Sequence, residues 1–89
     1  MEEIRHFLYD DKENAEIRFV SFMGDSKRYD LAIITTNKYY GKKVVLNLLG
    51  NRFAILGPDD LEDHHYLAHA YNLTEIEADE LRDFLIEVV

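Results

Sequence analysis

The chain has no cysteine among its 89 residues, so neither a disulfide nor a thiolate metal ligand can hold it together. Packing must do that work, and 47% hydrophobic residues with eleven aromatics supply enough apolar surface for one small domain over residues 1–89. It has only two serines, Ser21 and Ser26, and its four glycines form neither a GxGxxG pattern nor a phosphate-binding loop. With no cysteine either, no nucleophile stands in a recognisable catalytic setting, and the chain reads as no enzyme. Nowhere does an uninterrupted apolar run approach the ~20 residues that span a bilayer, and "MEEIRHFLYDD" lacks the basic and apolar segments of a signal peptide. A cytoplasmic protein is expected.

Basic charge is scarce as well. The net charge is -8, which argues against nucleic acid as the main partner, because phosphate binding needs a basic surface. Residues 1–57 carry nine Lys and Arg against eight Asp and Glu, whereas residues 58–89 carry one Arg against ten Asp and Glu. The shift puts a structural boundary near Gly57 and Pro58. It makes the last third either a solvated face or a docking surface for something basic.

Before that boundary the chain reads as strands. "AEIRFVSFM" (15–23) and "RYDLAIITT" (28–36) are rich in β-branched and aromatic residues, and "GDSK" between them marks a hairpin. "KVVLNLL" (43–49) and "RFAIL" (52–56) follow, separated by Gly50 and Asn51, and "RHFLY" (5–9) is a candidate fifth strand. Connections this short exclude parallel crossovers and predict an antiparallel meander.

Beyond Pro58 the period changes to that of helices. One helix is expected over 59–71, with Leu61, His64 or His65, Leu67, Ala68 and Tyr71 on its buried stripe. A second begins at "TEIE", where Thr74 and Glu77 form a capping box, and buries Ile76, Leu81, Phe84, Leu85 and Val88. The fold expected is α+β: a four- or five-stranded antiparallel meander followed by two helices packed on one face.

Those helices can cover only one side of the sheet. The strands nevertheless carry apolar residues at both parities: Val20 and Phe22 out of phase with Ile17 and Phe19, Ala32 and Ile34 with Leu31 and Ile33, Val45 and Leu49 with Val44 and Leu46. The second face calls for a homodimer, a protein partner, or a sheet curled on itself. A homodimer would use the nearly neutral strand region, and Val20→Asp or Ile34→Asp would weaken it without loss of folding.

Two local clusters suggest chemistry. In "DHHYLAH" (63–69), His65 and His69 are four apart, the spacing of a zinc-binding helix, but Tyr66 stands where a general base would be and a third ligand is missing. No metal or other cofactor is expected, and a metal-dependent activity through this pair is the alternative. In "NKYYGKK" (37–43), Lys38, Tyr39, Tyr40, Lys42 and Lys43 set charge beside aromatic rings, which could hold single-stranded RNA or serve as an interaction surface. Lysines and tyrosines of that kind are also ordinary at hairpins and sheet edges. The reading that fits best is a non-catalytic interaction or regulatory module.

Taken together, "RFVSFMG", "RYDLAIITTNKYYGKKVVLNL" and "NRFAILGPDDLED" resemble a family of short cytosolic proteins from bacilli and staphylococci, a domain of unknown function. The likeness runs from about residue 5 to the C-terminus. It implies an α+β domain in Gram-positive bacteria and carries over no activity, cofactor, partner or site residue.

Overall fold

The computed structural model describes residues 6, 8–25 and 27–89, His64 by its backbone alone. Four strands, β1 (Glu16–Met23), β2 (Arg28–Thr35), β3 (Lys43–Asn47) and β4 (Arg52–Leu56), form one antiparallel sheet in sequence order. Two helices follow, α1 (His64–Tyr71) and α2 (Glu75–Val88), giving the expected α+β meander with C-terminal helices. The sheet has four strands among the described residues. Residues 5 and 7 of the candidate fifth strand lie outside them, and His6, Leu8 and Tyr9 are not in a strand.

Each turn has a local cause. At the β1–β2 hairpin the Gly24 N–H donates to the Lys27 carbonyl at 2.8 Å. A side chain at position 24 has no room, because a Cβ there would lie 2.5 Å from Glu80 Oε1 and 2.9 Å from the Tyr29 ring. Between β2 and β3 the Thr36 hydroxyl accepts from the Lys38 N–H and starts a short 3-10 turn over Asn37–Tyr39. Tyr40 and Gly41 then take positive φ, at 51° and 84°, to reverse the chain. The β3–β4 reversal uses Asn51 at φ 56°, a conformation that asparagine tolerates better than most residues.

The first helix starts later than the periodicity suggests. Pro58–Glu62 is a 3-10 turn, and α1 begins only after Asp63, whose side chain accepts from the His65 and Tyr66 N–H groups at 3.0 and 3.3 Å. An aspartate cap there satisfies free donors that a continuous helix would not have had. The capping box expected at Thr74 and Glu77 forms, with both hydrogen bonds in place.

The core lies between the helices and one face of the sheet. Tyr29, Leu31, Ile33, Val45 and Leu56 from the strands pack with Leu61, Leu67, Tyr71, Leu81 and Leu85 from the helical layer. Polar pins align the layers. The Tyr71 hydroxyl donates to the Val45 carbonyl at 2.7 Å, and burial pushes that phenol well above its ordinary pKa. The Tyr29 hydroxyl lies 2.9 Å from the Glu77 carbonyl and 2.8 Å from Glu80 Oε1, sharing its proton between them. Lys43 Nζ donates to the Val88 carbonyl at 2.6 Å, and Arg82 Nε to the Leu61 carbonyl.

One expected stripe position, Ile76, faces outward at 69% exposed. Of the alternatives His64 or His65 on α1, the His65 side chain is exposed and that of His64 lies outside what is described. On α2 the buried positions are Ala78, Leu81 and Leu85, spaced three and four apart, and Ile76 falls off that line by more than a quarter turn.

Candidate functional site

Antiparallel register places directly paired residues on the same side of a sheet. Val20 of β1 opposes Leu31 and Phe22 opposes Tyr29, so both join the helix-covered side, where Phe22 stacks on Tyr29 at 5.0 Å and meets Phe84 at 4.8 Å. Val20 is half-buried against the core. The expectation that Val20→Asp would leave folding intact is therefore corrected: the residue lies one position out of phase with the open face, and a charge there would enter the core.

The other side of the sheet is built from the intervening residues. Ile17 pairs with Ile34, which pairs with Val44, which pairs with Ile55. One row further along, Phe19 pairs with Ala32, Ala32 with Leu46, and Leu46 with Phe53. Two apolar rows thus cross all four strands. Both helices contact the opposite face, and at the row ends Phe19 is 73%, Phe53 64% and Ile17 52% exposed, with Ile55 half-buried. Met23 on the same face is 74% exposed.

The polar positions of this face are collected at one end and satisfied there. Arg28 Nε lies 3.0 Å from Asp30 Oδ2, and Arg28 also donates to Asp30 Oδ1 at 3.2 Å. A hydrogen bond from Ser21, the residue opposite Asp30, is the main cause holding the Asp30 carboxyl below its ordinary pKa, with Arg28 adding to it. At the β3–β4 end a shallow cavity of about 200 Å³ opens between Leu46, Leu48, Arg52 and Phe53. That is below the usual size of a small-molecule site, but large enough for one side chain of a partner.

The basic segment is largely occupied by its own fold. Lys42 Nζ pairs with Asp60 at 3.2 Å, and Lys43 reaches the end of α2. Lys38 donates to the Tyr9 hydroxyl at 3.4 Å, which raises the lysine's pKa, and lies 4.5 Å from the centre of that ring. Tyr39 is half-buried and Tyr40 fully exposed. The cluster is contiguous in sequence, but Lys42 and Lys43 are tied to the helical layer rather than set beside the tyrosines as one platform.

His65 and His69 both lie on α1 with exposed side chains. His65 Nδ1 is 3.5 Å from Glu75 Oε1. Among the described residues no three His, Asp or Glu side chains come together as metal donors. The acidic excess is spread along the helical layer, and Asp25, Glu80, Asp83 and Glu87 rim an open groove floored by Phe22 and Phe84.

Sequence parity gave notice of the open face; the cavity at its end had no local signature. Among the described residues no helix is long and apolar enough to cross a membrane. A family model described as SAV0927-like matches residues 8–87. Among curated proteins none matches the chain.

Proposed function

We propose that this chain, which belongs to the SAV0927-like family, is a non-catalytic interaction module whose working surface is the open sheet face. The observation that carries the reading is the pair of apolar rows across β1–β4, one of them ending in Phe19 and Phe53 with most of their surface in water. Contiguous apolar patches of more than a few hundred Å² are uncommon on soluble monomers and mark binding surfaces. The polar groups support the same reading, because three carboxylates with a depressed pKa are engaged in holding the fold, Asp30 at the sheet end, Asp60 at the Gly57 N–H and Glu77 in the Thr74 cap. The resemblance to short cytosolic proteins of bacilli and staphylococci supports a module that works in the cytoplasm of a Gram-positive bacterium.

Two other readings have less to stand on. Single-stranded RNA binding through Lys38–Lys43 would need lysines that are engaged with Asp60 and Val88. A metal-dependent activity through His65 and His69 would need a third donor beside them.

A photo-crosslinking phenylalanine analogue in place of Phe19 or Phe53 tests the proposal in cells. Discrete protein adducts are expected from these positions and not from Ile76 or Ile86, which are exposed on α2. An absence of adducts from both sheet positions overturns it.

A further inference from the structure

We infer that the groove between the β1–β2 hairpin and α2 is a docking site for a basic segment of a partner protein, with an arginine side chain laid over Phe22 and Phe84 and its guanidinium among the carboxylates of the rim. The site goes beyond the open sheet face, because Phe22 lies on the helix-covered side of the sheet.

The floor is aromatic and already organised. Phe22 lies between Tyr29, at 5.0 Å, and Phe84, at 4.8 Å, and both phenylalanines are only half-buried. Met23, 74% exposed, continues the apolar lining at the end of β1. The Tyr29 hydroxyl lies 2.8 Å from Glu80 Oε1, which fixes one rim carboxylate against the floor. These residues leave a groove of about 350 Å³, room for a long side chain and part of its backbone.

The rim is acidic in a way that the fold does not use. Glu80, Asp83, Phe84 and Glu87 recur at three- and four-residue spacing and share one stripe of α2, about 10 Å from first to last. Asp25 faces them from the hairpin. Among the described residues no lysine or arginine pairs with Asp25, Asp83 or Glu87: Lys27 goes to Glu77, and Arg82, the one Lys or Arg after position 57, goes to the Leu61 carbonyl. Asp83 and Glu87 are like charges four apart, and Glu87 stands in the last turn of α2, which holds no basic residue. Both placements cost helix stability, since like charges at that spacing repel and the C-terminal end of a helix dipole is itself negative. A bound cation removes both costs.

The two features together define the occupant. A metal ion or a polyamine would engage the carboxylates and leave the rings unused. Carboxylates spread along the helix call for more than one cation, and an aromatic floor calls for a cation on an apolar stem. Arginine meets both demands, because its planar guanidinium stacks on rings and bonds carboxylates in pairs, which the compact lysine ammonium does less well. The partner chemistry that fits is a segment with two or more arginines set among apolar residues.

Fluorescence anisotropy with a labelled peptide of alternating arginine and leucine, at physiological salt, tests the proposal. Saturable binding is expected, weakened about fivefold by Asp83→Asn with Glu87→Gln and unchanged by Asp59→Asn with Glu62→Gln, which removes the same charge from exposed positions outside the groove. A lysine version of the peptide should bind about threefold more weakly, a preference that Phe84→Leu removes while circular dichroism stays unchanged. Where Phe84→Leu loses its fold, the comparison of the two peptides on the unaltered protein carries the test of the floor. In amide NMR spectra the peptide should shift Gly24, Asp25 and residues 83–87. No binding overturns the site, and so do equal losses from the two double variants, which would mean attraction to net charge alone. Arginine and lysine peptides that bind equally overturn the arginine assignment. Shifts confined to the open face around Phe19 and Phe53 reject the groove and leave the interaction reading standing.

Discussion

Phe19 and Val20 are neighbours in sequence and lie on opposite sides of the sheet, so one charge moved by one position separates surface from core. In Phe19→Asp the lost side chain is 73% exposed and the new carboxylate stays in water. Substitutions at such positions change monomer stability by about 0.5 kcal/mol or less. In Val20→Asp the side chain is half-buried against the cluster that holds Leu31, which it opposes. Losing a partly buried valine costs about 1–2 kcal/mol, and forcing a carboxylate toward an apolar environment adds roughly 1–3 kcal/mol. The sum, about 2–5 kcal/mol, is a large share of the ~4–13 kcal/mol that holds a domain of this length. Tm should fall by roughly 8–40 °C for Val20→Asp, at about 4–8 °C per kcal/mol. Urea melts at the lowest usable concentration, where self-association contributes least, give the comparison. Equal losses for the two variants, or a larger loss for Phe19→Asp, would refute the register on which the open face depends.

Two further outcomes follow from the packing. Gly24→Ala should destabilise by about 1–3 kcal/mol in the same urea assay, because the new methyl meets the buried Tyr29 ring and the Glu80 carboxylate bonded to it; an unchanged midpoint would mean the hairpin does not press on α2 as described. Acid should also weaken the fold. Asp30, Asp60 and Glu77 all have folded pKa values lowered, chiefly by hydrogen bonds from Ser21, the Gly57 N–H and the Thr74 N–H in turn. Their stabilisation is full above the ordinary values of 3.8 for Asp and 4.5 for Glu, and it is lost as pH falls through the lowered ones. Tm should be steady near pH 6 and fall below about pH 4.5, and Asp60→Asn should reduce that slope; a Tm flat down to pH 3 would contradict it.

The meander, its strand order and the helix pair were readable from local signals. Short connections forbid parallel crossovers, Gly24 and Gly50 mark reversals, and Thr74 with Glu77 forms a cap that needs only its own four residues. The two apolar parities of β1 to β3 also stood in the sequence, because side-chain alternation is a property of one strand. Local signals did not decide which parity meets the helices. Val20 and Phe19 are equally apolar to a reader of one strand, and only pairing with Leu31 and Ala32, with the side the helices take, sorts them. The break at Asp63 was hidden for a similar reason, since the apolar spacing of Leu61, Leu67 and Tyr71 runs through it while the cap bonds end one turn and start another. Long side chains escaped most completely. Lys42 and Lys43 belong to a basic run in sequence, yet each follows the nearest acceptor in space, Asp60 and the Val88 carbonyl, and those partners are set by how the helical layer lies on the sheet. Sequence by itself determined the elements and the presence of a second apolar face; tertiary packing decided which residues that face holds, because register and layer contact are long-range properties that no single segment encodes.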